Sequence, residues 1–165
     1  MTLDATVGGA TSDTLATLAE YQAYGALRGL TLGATDAADE INLLKAMDYL
    51  SRKYVYVGVR TTSTQALIWP RVTGLYVEGY QVATDTVPQD MKDAQCEVAY
   101  LIQGGATPFA TVSAGATLST RVKAGSVESE TTYQGARETP RFVAVEGLLA
   151  PYIVAGAGQV SMVRG

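Results

Sequence analysis

The sequence contains no histidine. That removes serine–histidine and cysteine–histidine catalysis and most zinc sites, because imidazole is the base or the ligand in each. One cysteine is present, Cys96, so no internal disulfide can form. Its place in an apolar helical pattern marks a buried thiol rather than a nucleophile. Charge is scarce as well: Asp, Glu, Lys and Arg make up 17% of the chain and leave a net −4. No run of Lys and Arg occurs, which sets nucleic-acid binding by phosphate neutralisation at a disadvantage. A surface so poor in charge is often covered by partners. No apolar run reaches the roughly 20 residues that span a bilayer. Met1-Thr2-Leu3-Asp4 lacks the basic start of a secretory signal. A soluble protein made in the cytoplasm is expected.

What remains is 165 residues, 47% apolar, with 17 glycines. This is enough for one domain with a real core and too little for two. Thr17-Leu18-Ala19-Glu20 has the pattern of a capping box and opens a helix that carries Leu18, Tyr21 and Leu27 to Gly29. A stronger helix is expected over 36–53. Asp36, Asp39 and Glu40 lie at its start and Arg52 and Lys53 at its end, as the helix dipole favours. Its buried stripe is Leu43, Met47, Leu50 and Tyr54.

Residues 55–87 lose helical periodicity. "YVYVGVR" alternates, as a short strand or as an extended exit from the helix, and Pro70 excludes helix around it. Thr86-Val87-Pro88-Gln89 reads as a second capping box. It opens a helix with Met91, Ala94, Val98, Leu101 and Ile102 on its apolar face and Gly104-Gly105 at its end. Residues 105–117 read as a loop and 118–133 as a two-stranded hairpin turning at Ala124-Gly125. A closing helix over about 140–153 aligns Phe142, Val145, Leu149 and Tyr152. The expected fold is therefore mainly α, a small bundle of three to four helices with one β-hairpin and flexible terminal arms. Residues 1–153 would form this domain and 154–165 a flexible C-terminal arm.

No catalytic constellation is visible. The carboxylates at helix starts are explained by capping, and Glu128 and Glu130 by a solvated strand face. No glycine-rich stretch has the spacing of a phosphate loop. No enzyme, metal or cofactor is expected. Tyrosine is abundant, ten copies against two phenylalanines and one tryptophan. Its apolar face and polar tip suit protein interfaces, and it can also stack on bases.

The block "AMDYLSRKYVYVGVRTTSTQALIWPRVTG" resembles a family of tailed-phage head–tail adaptor (connector) proteins, often labelled DnaT-like single-stranded DNA-binding proteins. Ala46, Tyr49, Leu50, Tyr54, Gly58, Arg60, Gln65, Leu67, Trp69, Pro70 and Arg71 carry the likeness. Gln65 to Arg71 is its most specific part. "TLAEYQAYGALRGL", "DAQCEVA" and "PRFVAVEGLLAPYI" are also similar, so the likeness spans most of residues 7–153.

The resemblance implies a ring homo-oligomer, a dodecamer, beneath the portal protein of the virion. It would extend the DNA channel and dock a tail-terminator or tail-completion protein. DNA would pass through without sequence-specific binding, and no membrane would be involved. The alternative is a single-stranded DNA-binding protein of phage DNA metabolism. On the adaptor reading, Gln65, Leu67, Trp69, Pro70 and Arg71 are a structural motif, with Trp69 in the core of its own protomer and Arg71 paired with a carboxylate. Arg121, Val122, Lys123 and Val127 of the hairpin are candidate contacts to a subunit, portal or tail. Val160, Met162 and Arg164 of the tail are candidates of the same kind.

Overall fold

Thr17 opens the first helix as its sequence predicts. Its hydroxyl accepts from the Glu20 amide at 3.1 Å, and the Glu20 carboxylate accepts from the Thr17 amide at 2.7 Å. The computed structural model describes residues 2–109, 117–123, 128–133 and 142–154, with backbone pairing alone in the second and third stretches. Helix α1 spans Leu18–Arg28 and stops at Gly29, whose φ of +64° is left-handed. It buries Tyr21, Tyr24 and Gly25, while Leu27, expected on that face, stands out in solvent.

Helix α2, Asp36–Lys53, starts from Thr35, whose hydroxyl accepts from the Ala38 amide. Leu43, Met47 and Leu50 are buried as expected, with Ala46 and Tyr49 widening the stripe. Helix α3, Gln89–Gln103, has Pro88 at its N-cap and no side-chain cap. The capping box expected from Thr86 is absent, because the helix starts later, at Gln89 after Pro88. The Thr86 carbonyl accepts the Trp69 indole N–H at 2.9 Å. Helix α4, Val143–Leu149, is shorter than the 140–153 expected, yet Phe142, Val145, Leu149 and Tyr152 are all buried.

Between the helices lie antiparallel pairs, each of two strands. β1 (Val59–Arg60) pairs with β2 (Arg71–Val72), and β3 (Tyr76–Val77) with β4 (Tyr80–Gln81). β5 (Thr117–Lys123) pairs with β6 (Glu128–Tyr133), from Thr117 opposite Tyr133 to Lys123 opposite Glu128. The β3–β4 turn is Glu78-Gly79, both at positive φ (52° and 87°), the geometry that matches strand twist in two-residue hairpins. The described residues of 2–106 and 142–154 form one compact unit, and those of 107–133 form a second.

A mainly helical bundle with one hairpin and flexible arms is therefore not what forms. Among the described residues, two helices are followed by two small strand pairs, a third helix, a third strand pair and a fourth helix, and a helix-free middle, 54–88, supplies Tyr56, Gln65, Ile68 and Trp69 to the core. The N-terminal stretch is not a free arm either: Ser12, Thr14, Leu15 and Ala16 are buried. The amides of Leu15 and Ala16 both donate to Gln95 Oε1 at 3.0 Å. Gln95 Nε2 donates in turn to Thr14 Oγ1 at 2.6 Å and to the Leu43 carbonyl at 3.0 Å. A single buried amide of α3 thus satisfies backbone that carries little apolar side chain of its own. The proposed C-terminal arm lies outside the described residues except for Val154.

Candidate interaction surface

The stretch from Gln65 to Arg71 is a knot of side-chain-to-backbone bonds. Gln65 accepts from the Thr62 amide at 3.1 Å and donates to the Leu67 and Pro70 carbonyls, both at 3.0 Å. Trp69 is 1% exposed. Its ring lies edge-on to Tyr56 at 6.4 Å and to Tyr152 at 5.6 Å between centroids, and the Trp69–Pro70 bond is cis. The aromatic contacts continue from Tyr56 to Tyr54, Tyr49 and Phe142. Leu67 packs half-buried against the same core.

Arg71 makes no ion pair with a carboxylate among the described residues, contrary to expectation. Nε donates to the Val57 carbonyl at 2.9 Å, Nη1 to Ile68 at 3.2 Å, and Nη2 to Tyr56 and Gly58. The guanidinium fork satisfies three successive carbonyls of 56–58, a place where a further strand would otherwise be wanted. Burial lowers the Arg71 pKa, and the neighbouring Arg60 adds to the effect. Gly58 permits the close approach. Its φ is +78°, and a Cβ there would sit 2.2 Å from the Val72 carbonyl oxygen.

These residues form the inner side of a surface whose outer side is apolar too. Tyr56 points inward, while Val55 and Val59 are 71% and 66% exposed. Val72 lies opposite Val59 across the β1–β2 pair. Val154 donates its amide to the Val55 carbonyl at 2.8 Å, next to the Tyr56–Ile153 bridge. Val72 and Val154 are exposed as well. Two pairs of exposed valines, Val55 with Val154 and Val59 with Val72, thus follow one another along 55–59, a valine edge with exposed Lys53 and Arg60 next to it in sequence. The alternation of "YVYVGV", apolar on both faces, was the signal for this edge in the sequence, because a one-sided sheet would show polar residues outward. At the β3–β4 tip, Tyr76 and Tyr80 are 67% and 81% exposed and bracket Glu78.

Of the other cations, Lys92 pairs with Glu20, Arg28 with Asp93 and the Tyr24 ring, and Arg52 with Asp48. The described residues contain no cluster of three His, Cys, Asp or Glu able to hold a metal, and none of their helices is long and apolar enough to cross a membrane. Cys96 is buried, and desolvation pushes its thiol up to about 12.

Gln65, Leu67, Trp69, Pro70 and Arg71 are therefore brought together around one connection. Arg121, Val122 and Lys123 lie on β5, opposite Glu130, Ser129 and Glu128. Val127, Val160, Met162 and Arg164 lie outside the described residues. No curated protein and no solved structure matches the chain. A family model does match, over residues 1–165, and by it the chain belongs to the family described as "Putative DnaT-like ssDNA binding protein".

Proposed function

We propose that this chain is a non-enzymatic structural subunit of a tailed-phage virion, a head–tail adaptor that assembles as a ring beneath the portal. The observation that carries the reading is the valine edge. A surface apolar on both faces, at Val55, Val59, Val72 and Val154, calls for a protein cover. The Gln65–Arg71 block, which resembles that of phage adaptors, braces this edge from behind. A net charge of −4 suits a channel through which DNA slides, since phosphates are repelled rather than held. Portal and tail-completion proteins are the partners this reading requires.

Electron microscopy of particles made without the gene tests it. Heads lacking tails, or heads that leak DNA, are the expected result. Intact tailed particles would sink it.

The family's description supports a second reading, single-stranded DNA binding, more directly than it supports the adaptor. The exposed Tyr76 and Tyr80 could act as stacking surfaces for bases. That reading predicts oligonucleotide binding at about micromolar or tighter, falling steeply between roughly 50 and 200 mM salt. Fluorescence anisotropy with a labelled oligonucleotide at the two salt concentrations distinguishes the readings. The adaptor should show weak binding at both.

A further inference from the structure

From the strand register and the sign of charge along it, we infer that the β5–β6 hairpins of neighbouring copies pair edge to edge, β5 of one chain against β6 of the next. The inference rests on the assembly reading and goes beyond it by naming the edges that meet. The hairpin lies in the second compact unit, and among the described residues no third strand lies beside β5 or β6. Each strand therefore keeps one row of backbone N–H and C=O groups that the hairpin itself does not use. A two-stranded ribbon is marginal in water, and an added strand satisfies such a row. No proline between Thr117 and Tyr133 blocks the addition. Charge then decides which edges meet. β5 carries Arg121 and Lys123 and no acid, while β6 carries Glu128 and Glu130 and no base. Arg121 lies opposite Glu130 and Lys123 opposite Glu128, and strand alternation places all four on one face. Charge on a strand edge ordinarily guards against pairing. Here each edge carries a single sign, so it repels its like and admits its opposite. β5 against a second β5 would set cations beside cations, and β6 against β6 would do the same with carboxylates. β5 against the next β6 repeats across the chain boundary the alternation found within the hairpin. A slip of one residue would set the cations opposite Ser129 and Thr131, so the register moves only in even steps. Hairpins pointing the same way make this pairing antiparallel. The contact is head-to-tail, and such contacts close into rings.

A charge exchange in the full chain tests the contact. The variant carries Arg121→Glu, Lys123→Glu, Glu128→Lys and Glu130→Arg together, which keeps the ladder within each hairpin and leaves the net charge unchanged. Isotopically labelled wild-type chain and unlabelled variant are mixed and their oligomers weighed by native mass spectrometry. Each chain should assemble with itself, and mixed oligomers should be nearly absent, because every mixed junction sets like charges side by side. Circular dichroism checks that the variant folds. A second measurement needs no variant. Amide hydrogen exchange of the wild-type chain, followed from dilute to concentrated solution, should slow in 117–123 and 128–133 together.

Mixing in statistical proportion would overturn the contact, since the hairpin would then lie outside the interface. Preferential mixing, or slowed exchange in one strand alone, would overturn it in favour of like edges meeting across a two-fold axis. A wild-type chain that stays monomeric, with unchanged exchange, at the highest soluble concentration would overturn it as well. Tailless particles from the gene deletion together with free mixing would leave the adaptor reading standing and remove this inference alone. Oligomers that sort by charge, beside intact tailed particles, would do the reverse.

Discussion

Trp69 is held in two ways at once, by ring edges of Tyr56 and Tyr152 and by the hydrogen bond from its indole N–H to Thr86. Replacing it with alanine removes the largest fully buried side chain among the described residues and takes the indole donor from the Thr86 carbonyl. Trp69→Ala should therefore cost about 3–5 kcal/mol, read as a lower melting temperature by calorimetry. That a tryptophan before proline would sit in the core was legible in the sequence, since its bulk and the stiffness of the dipeptide both point there. The partners of Arg71 were not legible. A carboxylate is the usual mate for a guanidinium, and no local pattern reveals that the carbonyls of 56–58 turn toward it instead.

Among the elements, α1 and α2 could be placed from sequence because their starts are set by short-range chemistry, Thr17 with Glu20 and Thr35 with Ala38. The start of α3 was misread because the helix begins at Gln89, after Pro88, and not at a Thr86 cap. Strands of two residues leave almost no periodic trace, which is why β2 to β4 escaped, β1 was read only as a strand or an extended exit, and the fold class was read as too helical. The β1–β2 pair makes its own prediction through Gly58. A methyl group there would meet the Val72 backbone at 2.2 Å, at a φ of +78°. Gly58→Ala should destabilise by about 1–3 kcal/mol or more, seen as a lower urea midpoint with an unchanged slope. Gly29→Ala keeps the positive φ but meets nothing within 4 Å, so it should cost less and serves as the control.

For the whole molecule, the tyrosines set the alkaline limit of the fold. Burial raises the pKa of Tyr21, Tyr24, Tyr54, Tyr56 and Tyr152. Tyr152 reaches about 12, by burial first and then by its hydrogen bond to Asp90 at 2.9 Å. The folded chain favours the protonated phenols, so their contribution is intact below the unfolded value of 10.0 and drains as pH rises toward 12. Unfolding followed by tyrosinate absorbance and circular dichroism should begin above about pH 10 and be cooperative. The abundance of tyrosine was plain in the sequence, but which rings are enclosed depends on contacts between distant segments. Gln95 has a consequence in time. It lies 80 residues after Leu15, whose amide it accepts, and synthesis at about 5–20 residues per second takes roughly 4–16 s to cover that distance. Throughout that interval the amides of Leu15 and Ala16 have only water to bond. A nascent chain that stops short of α3 cannot close the stretch around Leu15, so a segment made well before α3 is fixed only after it.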